Sequence, residues 1–179
     1  MKEITQEAVS GFLFSHDWSE VLLILKSTGP AILHGKWNGP GGKIEGSETP
    51  LAAMRREFRE ECGADIQSWR QFLVYDHAQN GWRIHFFAAV APFDAKPDYV
   101  KQCGHETIVW FRVDELHKVP LVPNLKWMIP LALDNNLPLG RISTDRELAI
   151  ESFIPNNKFI DVEVIEETPD GNRILLEKN

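Results

Sequence analysis

The segment GPGGKIEGSETPLAAMRREFREECGA, Gly39–Ala64, sets three glycines around Pro40 and closes on Arg56, Glu57, Glu60 and Glu61. Thr49 followed by Pro50 has the form of an N-cap with proline at the first helical position, and Gly63 stands where a helix stops. A helix is therefore predicted from Pro50 to about Cys62. At 100° per residue, Leu51, Met54, Phe58 and Cys62 fall within roughly 80° of one another and form the stripe to be buried. Glu57, Glu60 and Glu61 span roughly 100° on its flank, with Ala53 one turn earlier, small enough to leave room above it. Glu57 with Glu60 and Glu57 with Glu61 are like-charge neighbours, each costing an isolated helix about 0.2–0.5 kcal/mol, and Arg56 offsets part of this from four residues before Glu60. Three acids in a run also read as a solvated face. Here they border the apolar stripe and follow a glycine turn whose backbone can approach a ligand closely. Carboxylates clustered beside such a turn suit a hard divalent cation, because Mg²⁺ takes oxygen ligands and keeps waters and phosphate oxygens in its shell.

Working outward, AVSGFLF (8–14) and VLLILK (21–26) read as strands paired across the turn SHDWSE. Residues 27–42 are rich in glycine and proline and read as loop. SWRQFLVYD (68–76) and WRIHFFAAVAP (82–92) read as a long hairpin, and ETIVWFRV (106–113) as a further strand. NLKWMIPLALDNN (124–136) suggests a second helix that Pro130 kinks or shortens. Residues 137–157 read as irregular, and KFIDVEVIEE (158–167) with RILLEK (173–178) as a closing hairpin. Hairpins mixed with helices, without regular βαβ repeats, indicate an α+β fold or a three-layer sandwich rather than a doubly wound sheet.

The 179 residues suffice for one domain with a real core, 1–179. A net charge of -7 argues against a broad nucleic-acid surface and so disfavours a nucleic-acid polymer as partner. A small anionic substrate remains open if cations screen it. The spacing of Cys62 and Cys103 establishes no bridge, so reduced thiols in a cytoplasmic protein are the simpler expectation. MKEITQEAVSGFLF lacks the apolar segment of a signal peptide, and VLLIL (21–25) is too short to span a bilayer, so no membrane role is expected.

Gly42, Glu48, Arg56-Glu57-Phe58, Glu60-Glu61 and Gly63 stand at the spacing of the Nudix box, and the chain resembles that family over residues 42–64. Ala64 replaces the usual final aliphatic residue. VWFRVDEL (109–116) and the closing hairpin extend the likeness over most of the chain. The resemblance implies an α/β/α sandwich with a mixed sheet, the box as loop-helix-loop and a C-terminal hairpin, 158–178. It implies hydrolysis of a nucleoside diphosphate linked to another moiety. Glu57, Glu60 and Glu61 would hold Mg²⁺ or Mn²⁺, with the Gly42 carbonyl a further ligand. Glu48 and Arg56 would pair and fix the loop against the helix. Glu60 and Glu61 are candidates for the general base, and Glu106 in GHETIVWF is a third, at a strand start where relatives place an acid. Glu106 reads equally as a loop-end surface residue.

KWNGPGGK (36–43) resembles the WNGxGGK of oxidised-purine nucleoside triphosphatases, in which the asparagine reads the base; that implies a purine-reading Asn38. LVPNLKWMIPLAL (121–133) resembles the segment carrying their second base-reading side chain, which falls on Asn124. Animal relatives carry two aspartates there, against Asn124-Leu125 here, and Asn124 reads equally as a helix N-cap. Lys43 is a candidate phosphate contact or a surface lysine; Trp37, Trp110 and Trp127 are core residues or base-stacking platforms. The function implied is a Mg²⁺-dependent pyrophosphohydrolase that converts a nucleoside triphosphate, an oxidised purine among the candidates, to monophosphate and pyrophosphate. The alternative is a Nudix hydrolase of ADP-ribose, a dinucleoside polyphosphate or another nucleoside diphosphate derivative. Residues 134–157 read as an insertion, a substrate lid or an oligomer contact such as that of a homodimer.

Overall fold

A computed structural model describes residues 3–27, 31–77, 81–92, 107–136, 139–144, 160–167 and 173–176. The elements in chain order are β1 (Gln6–Phe14), β2 (Glu20–Leu25), β3 (Trp37–Asn38), α1 (Pro50–Cys62), β4 (Arg70–His77), β5 (Trp82–Val90), β6 (Thr107–Arg112), α2 (Leu125–Leu133), β7 (Leu139–Thr144), β8 (Ile160–Glu167) and β9 (Arg173–Leu176). They build one mixed sheet in the order β3-β2-β1-β5-β4-β7-β8-β9, with β6 on the other side of β2. β1 runs parallel to β5 along its whole length, Gln6 opposite Trp82 through Phe14 opposite Val90. The predicted β1–β2 and β4–β5 hairpins are present and antiparallel.

Alternation along β1 and β2 explains their apolar runs, since both faces of the sheet are covered. Val9, Leu13, Leu22 and Ile24 pack with Phe87 and Ala89 under Met54, Phe58 and Cys62 of α1. Phe12, Phe14, Val21 and Leu23 pack with Phe86 and Ala88 under Leu125, Met128, Ile129 and Ala132 of α2. The fold is thus the expected α+β sandwich, one helix on each face. A bulge in β4 between Gln71 and Leu73 shifts the alternation, so that Phe72 and Leu73 both join the α2 side.

The Thr49 cap accepts a hydrogen bond from the Ala52 amide, Pro50 opens α1, and Gly63 closes it in the left-handed conformation at φ 68. The buried arc of α1 is wider than the four-residue stripe. Ala53 is fully buried rather than leaving room beside the acids, and Leu51 is only partly buried. The reason is the close packing of α1 on β1, where Gly11 lies under Met54 and Trp69: a Cβ there would stand 2.8 Å from both side chains.

Two expectations need correction. Residues 139–144 are not irregular: β7 lies parallel to β4, Leu73 opposite Gly140 through His77 opposite Thr144. Part of the stretch 134–157 is therefore sheet, and β7 is what links the closing hairpin to the rest. β8 pairs with both β7 and β9. Alternation did not disclose β7 because LGRIST carries Gly140 and Arg141 in place of an apolar-polar pattern. α2 ends at Leu133, three residues short of 136, and its last amide bond is from Asp134 to the Leu131 carbonyl. Cys103, Glu106 and residues 145–157 lie outside the described residues.

Phe58 is fully buried and meets the Trp69 ring edge-on at 5.2 Å. Phe58→Ala should lower unfolding free energy by about 3–5 kcal/mol. Leu51→Ala, at the margin of the arc, should cost clearly less. Urea denaturation of the two variants checks the order.

Candidate active site

Below Phe12 the strands β1 and β2 separate, and the glycine loop enters the gap. Gly11 N–H donates to the Pro40 carbonyl at 2.9 Å, Val9 N–H to that of Gly42 at 2.8 Å, and Ile44 N–H to that of Glu7 at 3.0 Å. The loop is therefore sheet-like and held against β1 at closest approach. A Cβ on Gly41 would lie 2.1 Å from the Val9 carbonyl oxygen, and Gly41 has φ +148, so only glycine fits there. A Cβ on Gly42 would lie 2.4 Å from Glu57 Oε1. The missing side chain leaves a cradle in which the Glu57 carboxylate meets the loop.

Arg56 is the hub of the acids. Its Nη2 and Nε donate to Glu48 Oε1 and Oε2 at 2.7 and 3.2 Å, which is the expected pair in fork geometry. Nη2 also donates to the Lys43 carbonyl at 2.9 Å, so the guanidinium ties the loop directly to the helix. Nη1 donates to Glu57 at 2.9 Å and to Glu60 at 3.2 Å. The bonds to Glu48 first and to Glu57, opposed by burial, raise the Arg56 pKa beyond its usual range. The same bond from Arg56, joined by the Glu45 amide, holds the Glu48 carboxyl below its ordinary value. Glu57 moves the other way: burial, opposed by Arg56, pushes its carboxyl up.

Glu61 is held by a separate set. Its Oε2 accepts from the Gly41 amide at 2.8 Å and its Oε1 from Lys26 Nζ at 3.0 Å. Lys26 follows β2 directly and is nearly buried, its side chain 11% exposed. Neither Lys26 nor the Gly41 amide was expected at the site. A lone lysine after an apolar strand carries no local signal, and its partner stands 35 residues away. Glu60, 59% exposed, is the acid open to solvent.

The other expected residues are more dispersed. The Gly42 carbonyl already accepts from Val9, leaving one lone pair. Lys43 turns its ammonium over the Trp82 ring, 5.5 Å from the centroid. Asn38 pairs opposite Ile24 beside the loop. Trp37 N–H donates to the Pro120 carbonyl and its own carbonyl accepts from Val122, both at 2.9 Å, which draws the start of α2 to the loop entrance. Asn124 occupies the N-cap position of α2, as its carbonyl accepts from Met128, but its side chain makes no capping bond and its Oδ1 is buried without a hydrogen-bond partner. Trp37 packs edge-on to Phe111 at 4.7 Å, and Trp110 and Trp127 are partly buried against the two cores.

Glu57, Glu61 and the Gly42 carbonyl at the glycine cradle are oxygen donors of the kind a hard cation takes. As placed, no three His, Cys, Asp or Glu side chains among the described residues converge on one metal position. Arg56 and Lys26 engage the carboxylate oxygens instead, and a divalent ion would have to take their place.

Residues 5–132 match the NUDIX domain. The chain belongs to the Nudix family. It is 30% identical over 120 residues to the Mycobacterium tuberculosis protein named "Putative 8-oxo-dGTP diphosphatase 2", covering 62% of this chain and 79% of that one. It is 26% identical over 141 residues to the mouse oxidized purine nucleoside triphosphate hydrolase, 74% of this chain and 84% of that one. A solved MutT structure, from work on the Aliivibrio salmonicida and Vibrio cholerae proteins, superposes with a TM-score of 0.57 over 72% of this chain and 95% of that one at 20% identity, a likeness of fold. The protein is a Nudix pyrophosphohydrolase acting on nucleotide derivatives. Among the described residues no helix is long and apolar enough to cross a membrane.

The folded-state pKa of Glu57 lies above its ordinary value of 4.5, so its ionised form weakens the metal-free fold at higher pH. Glu57→Gln, which keeps the neutral form, should melt at a higher temperature than the native protein at pH 7 without divalent ions. That gain should shrink as pH falls and vanish below about 4.5, where native Glu57 is protonated in both states. Glu48→Gln should show the opposite sign, because a lowered pKa stabilises the fold above 4.5 and is lost on acidification. Thermal scans between pH 4 and 7.5 check both.

Proposed function

We propose that this protein is a Mg²⁺- or Mn²⁺-dependent nucleoside triphosphate pyrophosphohydrolase, with oxidised purine nucleotides as its leading substrate class. The observation that carries the reading is the meeting of Glu57 and Glu61 with the Gly41–Gly42 backbone, Glu60 one turn away on Arg56, and Arg56 and Lys26 as counter-ions. The two relatives named for oxidised purine nucleotides, and the WNGPGGK loop, support the substrate class.

Water attacks a phosphorus of the substrate, an anhydride bond breaks, and monophosphate and pyrophosphate leave. A divalent ion held by Glu57, Glu60, Glu61 and the free lone pair of the Gly42 carbonyl would neutralise phosphate oxygens and lower the pKa of a bound water. Glu48 and Arg56 keep the loop fixed on α1, so the carboxylates are aimed before substrate arrives. Glu57 and Glu61 are the anchored members. Glu60, exposed and held by a single longer bond, is the acid placed to orient the attacking water or accept its proton. Glu106 keeps its candidacy for that role from the family resemblance alone. Lys26 lies beside Glu61 and the Gly41 carbonyl, where an ammonium can screen the negative charge of a polyphosphate. Asn38 and Asn124 read the base: the chain draws their segments together through Trp37, and the buried Oδ1 of Asn124 is an acceptor awaiting a donor.

Turnover with Mg²⁺, read by chromatography of the nucleotide products, should be fastest on oxidised purine triphosphates in a panel that includes normal triphosphates, ADP-ribose and dinucleoside polyphosphates. Turnover of ADP-ribose or dinucleotides alone would reject the substrate class. Glu60→Gln and Glu61→Gln should each lower kcat by about 10²–10⁴-fold with the melting temperature retained. Full activity in both would reject the roles given to the acids. Asn38→Ala should raise KM and narrow the difference between bases.

A further inference from the structure

Asn124 stands immediately before α2, so its position follows that of the helix. α2 has nine residues, short of the length at which isolated helices persist. Pro130 lies inside it and supplies no N–H, so the Lys126 carbonyl lacks its usual helical donor. Leu125, Met128, Ile129 and Ala132 bury one face of α2 against the sheet, and further contacts hold its two ends. At the N-terminal end the grip is the backbone pairing with Trp37. At the C-terminal end, where Ala132 is buried and Leu131 and Leu133 pack on the core, Arg70 adds a polar tie.

Arg70 opens β4 opposite Ala88, a residue of the α2-side core, so it projects toward that helix. Its Nη2 donates to the Ala132 carbonyl at 2.8 Å and lies 3.4 Å from Asn135 Oδ1. A guanidinium there meets the negative end of the helix dipole as well as an orphan carbonyl. Its planar head lies over the Phe72 ring, 5.9 Å from the centroid, and Phe72 is the residue the β4 bulge turns inward. Nη1 is buried without a partner. Burial lowers the Arg70 pKa, so a charge at this place is costly to keep. An apolar side chain would satisfy packing alone at lower cost.

We propose that Arg70 is a positioning residue for base recognition: by fixing the C-terminal end of α2 it sets where the N-terminal turn presents Asn124. This rests on the reading of Asn124 as a base-reading residue given above. Arg70 does not touch the nucleotide; it acts through the helix.

The test uses the full chain, with oxidised and unoxidised purine triphosphates as the probes. Arg70→Met keeps the stem and removes the guanidinium. It should raise KM about tenfold and shrink base preference toward that of Asn124→Ala, with kcat changed less than about threefold, since displacement acts on binding geometry remote from the chemistry. A merely structural role would lower the melting temperature and leave KM and preference at native values. The double variant Arg70→Met/Asn124→Ala should lose no more than Asn124→Ala alone, because both act through one contact. Additive losses, or native KM and preference in Arg70→Met while Asn124→Ala is impaired, overturn the role of Arg70 and leave the pocket standing. Native behaviour in both single variants overturns the pocket and the inference with it. Should Arg70→Met fail to fold, Arg70→Gln, whose shorter side chain falls short of the Ala132 carbonyl, gives the same readout with the same outcomes.

Discussion

The guanidinium of Arg56 is the point on which the site depends. It lies within 3.2 Å of carboxylate oxygens on Glu48, Glu57 and Glu60, and donates to the Lys43 carbonyl as well. Without it, acids on successive turns of α1 would repel one another beside the loop. Lys26 does the same for Glu61 from the opposite side. The acids therefore stand in two cationic clamps. A divalent ion entering the site competes with ammonium and guanidinium rather than with water alone, and the protein holds the carboxylates close at neutral pH before any ion arrives.

The rest of the architecture serves this clamp. β1 is buried on both faces and parallel to β5 throughout, so it is a rigid rail. Only its C-terminal end pairs with β2, which frees Glu7, Val9 and Gly11 to bind the loop. The loop then reaches α1 with its backbone, because Gly41 and Gly42 have no side chains to hold it off. α1 is fixed from below by Met54, Phe58 and Cys62. The core thus positions the helix, the rail positions the loop, and Arg56 joins the two. On the opposite face, α2 brings Asn124 to the loop entrance through Trp37, and Arg70 anchors its far end.

The box helix was legible in the sequence almost residue by residue, because its signals are local: Thr49-Pro50 at the start, Gly63 at the end, and a 3.6-residue apolar period between. The Glu48–Arg56 pair came with the family spacing. What escaped was non-local. Lys26 meets Glu61 only once the sheet has formed, and the Gly41 amide reaches Glu61 only because the loop lies flat on β1. β7 lacks alternation and is a strand because β4 and β8 flank it. Asn124 stands at the cap position, as asparagine before an apolar run commonly does, yet its side chain makes no capping bond, and the amide oxygen is left buried and unpaired.

The central claim is that the two clamps hold carboxylates for exchange with a divalent ion. Isothermal titration with Mg²⁺ at pH 7.5 tests it without substrate. The account predicts saturable binding by the native protein, weakened by about tenfold or more in both Glu57→Gln and Glu61→Gln, since each removes one charged oxygen donor from the set. Absence of saturable binding, or equal affinity in all three proteins, would contradict it.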